Sequence, residues 1–409
     1  MKKLFLLANE FPYGTLEPYL ETECEYYSGF GKIWIASLQL RDDHAKTKRE
    51  LPVDAELIPV RYLSRMQYFL RSFYALFDKH FYKELGKLAK TKRLRFSTLV
   101  SLVVYLSRSH HEARVIDKRM KKEDKSDIVF YAYRFEYQPY VALLLKKKWK
   151  CDAKVICRAH GYDLREERHA GNYIPMREAL LDGLDMVYPC SADGVEYLRK
   201  RYPKYPDKVD VRYLGTKDYG AGPVPEEGVF RIVSCSGVLK VKRLHRIVDA
   251  LALIKTGKIE WVHYGDGPLF EELKAYAASK LKENVTFVFK GNTPNADLMK
   301  EYQVTPYSLL LNVSESEGIP VAIMEALSFG IPCIATDVGG TREVLSDSSF
   351  SRLLEKDYKD EELAAAVTAY MGMEREAYCR QRTAARESWR NMFSAGSNYT
   401  AFVKELNAD

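Results

Sequence analysis

Residues 309–340 run as an apolar stretch, a turn, a helical stretch and a second apolar stretch, and this order constrains the fold more than any other part of the chain. Residues 309–313 read as a strand buried on both faces of a parallel sheet. The turn Glu315-Ser316-Glu317-Gly318 follows. Pro320 suits the first position of a helix, where its missing N–H would be unpaired anyway, and the helix is expected to reach Phe329 and stop at Gly330. A second strand, 332–336, leads into Val338-Gly339-Gly340. Polar residues and glycines thus collect at the C-terminal ends of the strands, the edge where parallel α/β sheets bind ligands.

Two acids mark that edge. Glu317 lies in the turn and Glu325 in the second turn of the helix, up to roughly 12 Å apart at the helical rise. The helix N-terminus between them offers free N–H groups and a partial positive charge, a seat for a phosphate. An anion flanked by two carboxylates that accept from hydroxyls has the outline of a nucleotide-sugar. Acids are also common at helix starts on ordinary surfaces, so spacing alone leaves both readings open.

A longer pattern resolves them. SESEGIPVAIMEALSFGIPCIATDVGGTREVL resembles the Glu-x7-Glu signature of glycosyltransferase family 4, retaining nucleotide-sugar enzymes of GT-B fold. Ser314, Glu317-Gly318, Pro320, Glu325-Ala326, Gly330, Pro332, Gly339-Gly340 and Glu343 fall in register with it. The resemblance implies that Glu317 holds the sugar hydroxyls and Glu325 the ribose, with Gly318, Ile319 and Pro320 along the donor. It also implies an Arg and a Lys, five apart, on the diphosphate. Lys242 matches the Lys, but Gly237 stands at the Arg position. Either Arg243 or Lys240 compensates, or the phosphate contacts differ. Asn292 corresponds to the base-binding edge, and Gly265-Asp266-Gly267-Pro268 to a glycine-rich turn of the family.

In the N-terminal half the resemblance is weaker. Strand 3–8 is followed by a loop with Gly14 and Thr15, where the family usually carries two glycines and contacts donor phosphate or acceptor. A lone glycine there equally makes a plain turn. His160-Gly161 follows strand 154–158, with Arg158 and Asp163 as neighbours. The resemblance implies that His160 contacts the transferred sugar near its 6-hydroxyl.

A chain of 409 residues is long for one core and points to two domains. Residues 217–228, with Gly220, Gly222, Pro223, Pro225 and Gly228, read as the linker. The expected organisation is an acceptor-binding Rossmann-like domain over 1–216, a nucleotide-sugar-binding Rossmann-like domain over 229–385, and terminal helices over 386–409 that return to the first domain and break near Gly396. The fold class is α/β, GT-B, with two parallel sheets facing across a cleft. In the first half, strands are also expected at 32–38, 56–59, 128–131, 186–189 and 209–213, with helices at 17–27 and 193–201, the latter started by Ser191. In the second half they are expected at 230–235, 260–264 and 285–290, separated by helices.

The seven cysteines are scattered without a CxxC pair, which fits a reducing compartment and gives no disulfide framework or zinc motif. The opening apolar run ends after six residues, short of a signal-peptide core, and no run approaches the ~20 residues of a membrane span. A cytoplasmic location is expected. The charge is uneven: 17 Lys/Arg against 6 Asp/Glu over 61–125, in a chain of net charge +7. Aromatics interleave with these cations at helical spacing, and 99–106 is the most apolar piece. The segment fits an anionic membrane surface or a set of helices with basic solvent faces. No nucleic-acid-binding motif accompanies it.

The expected activity is transfer of a sugar, with retention, from a nucleotide-sugar (UDP-sugar being commonest in the family) to a hydroxyl of a glycan or lipid-linked glycan in surface polysaccharide biosynthesis. No cofactor or metal is expected. The alternatives are a nucleotide-sugar 2-epimerase or hydrolase of the same fold, distinguished by an acceptor requirement, and a non-catalytic membrane-surface scaffold that keeps a nucleotide-sugar pocket.

Overall fold

The computed structural model describes residues 1–408. The chain divides into two compact units, Met1–Tyr213 joined by the chain from Tyr399 onward, and Leu214–Asn398. Each is a doubly wound α/β unit.

The first sheet consists of β1 (Lys3–Ala8), β2 (Lys32–Leu40), β3 (Glu56–Arg61), β4 (Ile128–Ala132), β5 (Lys154–Ala159) and β6 (Met186–Pro189), in the order β3-β2-β1-β4-β5-β6. The second consists of β7 (Val229–Cys235), β8 (Lys258–Tyr264), β9 (Val285–Phe289), β10 (Leu309–Asn312), β11 (Cys333–Thr336) and β12 (Ser351–Leu354), in the order β12-β11-β10-β7-β8-β9. Neighbouring strands pair in parallel throughout both sheets. Helices cover the faces, so the central strands are buried and read as apolar runs rather than alternating ones. In both sheets the winding reverses next to the first strand, between β1 and β4 and between β7 and β10. Loops diverge there and leave a crevice at the strand ends.

Several elements differ in extent from the sequence reading. Residues 209–213 form one isolated bridge, Val209 to Val187, rather than a full strand. Their further backbone contacts are single hydrogen bonds, from Asp210 N to Val187 O and from Arg212 N to Pro189 O, as the chain leaves the sheet. The helix expected over 17–27 is only Tyr19–Cys24, followed by a 3₁₀ turn at Tyr27–Gly29. Glu17 has φ +56°, which keeps it out of the helix. Pro320 is the residue before the helix, which runs Val321–Ser328, and Gly330 beyond it has φ +73°. Ser191 caps Ala192–Arg201 by accepting from Gly194 N. The terminal helices are Arg375–Met392 and Ala395–Asn407, so Gly396 lies inside the second. The break sits at Phe393–Ser394, where Thr216 bridges Ser394 and the Asn398 side chain donates to Leu214 O and Met392 O.

Arg158, a neighbour of His160 in sequence, belongs to the core of the first unit. It is fully buried and lies 3.3 Å from the buried Glu23 carboxylate. It donates to Tyr131 Oη at 2.7 Å and to Arg212 O at 2.7 Å, and its guanidinium stands over the Phe402 ring at 4.5 Å. Glu23 also accepts from Tyr27 Oη. Truncating one partner of such a pair leaves a buried charge unmatched. Arg158→Met is therefore expected to lower the unfolding free energy by about 3–5 kcal/mol, read by urea denaturation. A loss below about 1 kcal/mol would mean that the ion pair is screened as a surface pair is.

Candidate functional site

A polar cluster lies at the strand ends of the second sheet, where its winding reverses. β7 ends at Cys235, and the loop after it carries Lys242 in a short 3₁₀ turn, Lys240–Lys242. β10 ends at Asn312 and runs into Ser314 and Glu317. Because these two strands are neighbours, their loops meet at the reversal point. Lys242 Nζ donates to Glu317 Oε1 at 2.6 Å, Ser314 Oγ donates to the same oxygen at 2.6 Å, and Asn312 Nδ2 reaches it at 3.3 Å. None of the three reaches Oε2. Glu317 is thus held by one oxygen while the other remains open to hydroxyl donors.

A second turn locks this carboxylate's backbone. Gly340 N donates to Gly318 O at 2.8 Å, and Gly339 has φ +55°. A Cβ on Gly339 would lie 2.2 Å from Glu317 O. Only glycine permits both that conformation and that approach.

Glu325 sits one helical turn deeper in Val321–Ser328 and is 8% exposed. Its Oε1 accepts from Asn295 Nδ2 at 2.7 Å. Burial pushes its carboxyl up to about 7, with the Asn295 hydrogen bond acting the other way. The nearby Cys235 thiol is pushed up to about 12, chiefly by burial and then by Glu325. Glu325 therefore has a single neutral hydrogen-bond donor and an unfilled capacity to accept more. Between the two acids the helix begins without a side-chain cap, so its N-terminal partial charge is not occupied by a residue of its own.

Other residues singled out in the sequence fall elsewhere. Arg243, with φ +48°, donates to the carbonyls of Val313, Ser314 and Lys356. Its guanidinium braces the β10 loop from behind. Lys240 is exposed. A Cβ on Gly237 would meet its neighbours at 3.6 Å, ordinary contact distance, so glycine is not sterically required there. Asn292 is exposed, next to Gly291, whose carbonyl accepts from Gly265 N. Asn295, Asn312 and Ser314 complete the cluster. Asn312 has a recognisable position at a strand's C-terminal end, whereas nothing local marks Asn295 as a partner of Glu325.

In the first unit, His160 follows β5 and has its backbone N on Asp163 Oδ1 at 2.8 Å. The other Asp163 oxygen accepts from Phe135 N at 2.7 Å. The imidazole packs on the Tyr133 ring at 4.7 Å between centroids, with Nδ1 3.8 Å from Asp163 Oδ2. Both ring nitrogens are buried without a hydrogen-bond partner. Burial works against a charged ring, but Cys190 and Asp163 outweigh it and push the imidazole up to about 9. Gly14 has φ +61°, and a Cβ there would crowd Glu10 at 3.0 Å; Thr15 is exposed. The amides of Asn9, Glu10 and Phe11 in the same loop converge on the buried Glu17 carboxylate at 2.9–3.2 Å. Those loop donors are filled from within the chain.

Residues 223–388 match the family model of glycosyl transferases group 1. That group 1 segment contains Lys242, Asn295, Glu317, Glu325 and Gly339. The chain is similar to lipopolysaccharide 1,6-galactosyltransferase of Escherichia coli K12, 32% identical over 149 residues, 36% of this chain and 40% of that protein. It is also similar to N-acetyl-alpha-D-glucosaminyl L-malate synthase of Bacillus anthracis, 31% identical over 141 residues and 34% of each chain. The matched part thus spans less than half the length of either relative. Among solved structures, Anabaena HepE in complex with UDP and glucose superposes with a TM-score of 0.69 at 15% identity over 99% of both chains. Sucrose-phosphate synthase of Thermosynechococcus elongatus gives 0.71 at 16% identity, over 99% of this chain and 98% of that one. At these identities the likeness shows a shared fold, the two-unit α/β architecture of GT-B proteins.

Proposed function

We propose that the protein is a glycosyltransferase that moves a sugar, with retention, from a UDP-sugar to a hydroxyl of a glycan or lipid-linked glycan during surface polysaccharide assembly. The observation that carries the reading is the pair of carboxylates, Glu317 and Glu325, on either side of an uncapped helix N-terminus with Lys242 beside it. Support comes from the group 1 segment and from relatives whose names specify sugar transfer to lipopolysaccharide. HepE, which shares the fold, is seen with UDP and glucose.

In this reading the helix N-terminus and Lys242 take the diphosphate, Glu325 takes the ribose hydroxyls and Glu317 Oε2 the sugar hydroxyls. The bond from the anomeric carbon to the phosphate oxygen breaks while the bond to the acceptor oxygen forms. The acceptor's proton passes to the leaving phosphate oxygen, so no side chain need act as a strong base. Stabilisation of that phosphate by fixed donors is the main catalytic contribution. The reading includes turnover without a metal, and a contact from His160 to the transferred sugar.

The test is nucleotide release from UDP-, GDP- and ADP-sugars in EDTA. Wild type is expected to hydrolyse one UDP-sugar slowly without acceptor, and Glu317→Gln to lower that rate about 10²-fold. Unchanged turnover in both Glu317→Gln and His160→Ala would overturn the reading, as would no release and no thermal shift with any donor.

A further inference from the structure

The basic segment 61–125 separates into two parts. Its most apolar stretch lies in the long helix Phe96–Arg119, and Leu102, Val103 and Leu106 are buried in the core of the first unit. That stretch is not a surface. Three shorter helices, Arg65–Leu70, Phe73–Leu76 and Lys79–Lys90, pack on the long one. They bury Tyr68, Ala75, Phe81 and Leu88 and turn other side chains outward.

What they turn outward is unusual. Of the seventeen large apolar side chains that stand exposed among the described residues, nine fall within 66–96. Phe77 is 85% exposed, Phe96 79%, Leu70 73% and Met66 66%. Single exposed apolar residues are normal, but a concentration of this kind marks a contact surface.

The charge on the same stretch has one sign. Arg65, Lys79, Lys83, Lys90, Lys92 and Arg95 are exposed. The only acids within 65–96 are Asp78 and Glu84, each 6% exposed. Both are turned inward by specific partners. Asp78 accepts from Tyr140 Oη at 2.7 Å and pairs with His110 Nε2 at 2.8 Å, and Glu84 accepts from Tyr173 Oη at 3.0 Å. Lys83 reaches Asp182 of another helix, while Arg65, Lys79, Lys90, Lys92 and Arg95 have no acidic partner within 4.0 Å among the described residues. A second copy of this face would bring like charges together, so self-association is disfavoured.

We infer that the outward face of residues 65–96 docks on an anionic lipid bilayer, with Leu70, Phe73, Leu76 and Phe77 entering the headgroup boundary and the unpaired cations meeting lipid phosphates. No helix among the described residues is long and apolar enough to cross a membrane, and this face attaches without one. The inference extends the proposed function by naming where a lipid-linked acceptor is met, but it stands on separate residues and its test needs neither donor nor acceptor.

The experiment is cosedimentation of the full chain with vesicles of phosphatidylcholine alone and with about 30% phosphatidylglycerol, at low and high salt. Binding is expected only to the anionic vesicles and to fall with salt. Lys79→Gln and Lys90→Gln each weaken it about fivefold, and Leu70→Ser with Phe77→Ser removes most of it, while circular dichroism stays unchanged because all four sites are exposed. The inference is overturned by no binding to anionic vesicles at low salt, or by binding that ignores these substitutions. It is also overturned if ultracentrifugation shows a dimer that the apolar substitutions dissolve. Donor hydrolysis is measured on the same variants. Lost vesicle binding in the wild type with hydrolysis intact removes the docking face alone, and lost hydrolysis with binding intact removes the transfer reading alone.

Discussion

Glu325→Gln is expected to make the empty protein more stable at pH 8 and at the same time to remove its affinity for a nucleotide-sugar. The carboxyl of Glu325 lies near 7 in the folded protein, against an ordinary value of 4.5, because burial disfavours its charge. A folded-state value above the unfolded one means that the native state holds the extra proton between those limits. Stability therefore falls as pH rises through 4.5 to 7, and the full penalty, up to about 3 kcal/mol, is present above 7. Glutamine carries no charge to desolvate, so the stability gap between variant and wild type should open over that window and be near zero at its acid end. Unfolding midpoints in urea between pH 4.5 and 8 measure it; a gap that does not widen with pH would show that Glu325 is not held neutral by its surroundings.

Binding has the opposite pH dependence. In the proposed function ribose hydroxyls donate to Glu325 and so favour its carboxylate; on that reading donor affinity should be highest above pH 7 and drop about tenfold from pH 8 to pH 6. Glu325→Gln should lose at least about 10²-fold in donor affinity, the worth of two hydrogen bonds to a charged acceptor, and should lose the pH dependence with it. Titration calorimetry with UDP and with the UDP-sugar reads both effects. A variant that binds as wild type does would detach Glu325 from the nucleotide.

Gly339→Ala is expected to disable the same site from a different element. A Cβ there lies 2.2 Å from Glu317 O and 3.0 Å from its carbonyl carbon, and both atoms are backbone. The left-handed conformation alone disfavours alanine by about 1–2 kcal/mol. Relief of the clash must push apart the two turns joined by the Gly340 N to Gly318 O hydrogen bond. Glu317 moves with its backbone and leaves the donors on Lys242, Ser314 and Asn312. A displacement near 1 Å at a positioning group lowers turnover about 10²-fold. Gly237→Ala serves as the comparison, since its Cβ meets only ordinary contacts, and it should leave stability within about 0.5 kcal/mol. Turnover in Gly339→Ala within about twofold of wild type would mean that Glu317 is not placed by this turn.

Much of the architecture is legible in the sequence. Apolar runs such as Leu309–Asn312 and Cys333–Thr336, separated by helix-length segments, fit strands of a parallel sheet covered by helices on both faces. The turn residues Glu317-Gly318 and Gly339-Gly340 lie after those strands and meet through the Gly340 N to Gly318 O hydrogen bond. Local signals misplaced boundaries where a side chain overrode them. Glu17 looks like a helix start, yet its carboxylate collects three loop amides and keeps it out of the helix. Residues 99–106 look like the best membrane-facing piece by hydropathy, yet they are core, and the exposed apolar surface lies on the helices before them.

Periodicity, glycine placement and the spacing of Glu317 and Glu325 are properties of neighbouring residues, and for that reason the sequence by itself determined the parallel α/β class and the place of the two acids beside the strand ends of the second unit. Contacts between residues distant along the chain carry no such local mark. Only the tertiary structure decided that Lys242 meets Glu317, that Asn295 meets Glu325, that Arg243 braces carbonyls and that Arg158 is core. These pairings depend on which strands become neighbours at the reversal point of a sheet, and the burial that lifts the Glu325 carboxyl to about 7 exists only once that sheet has closed around it.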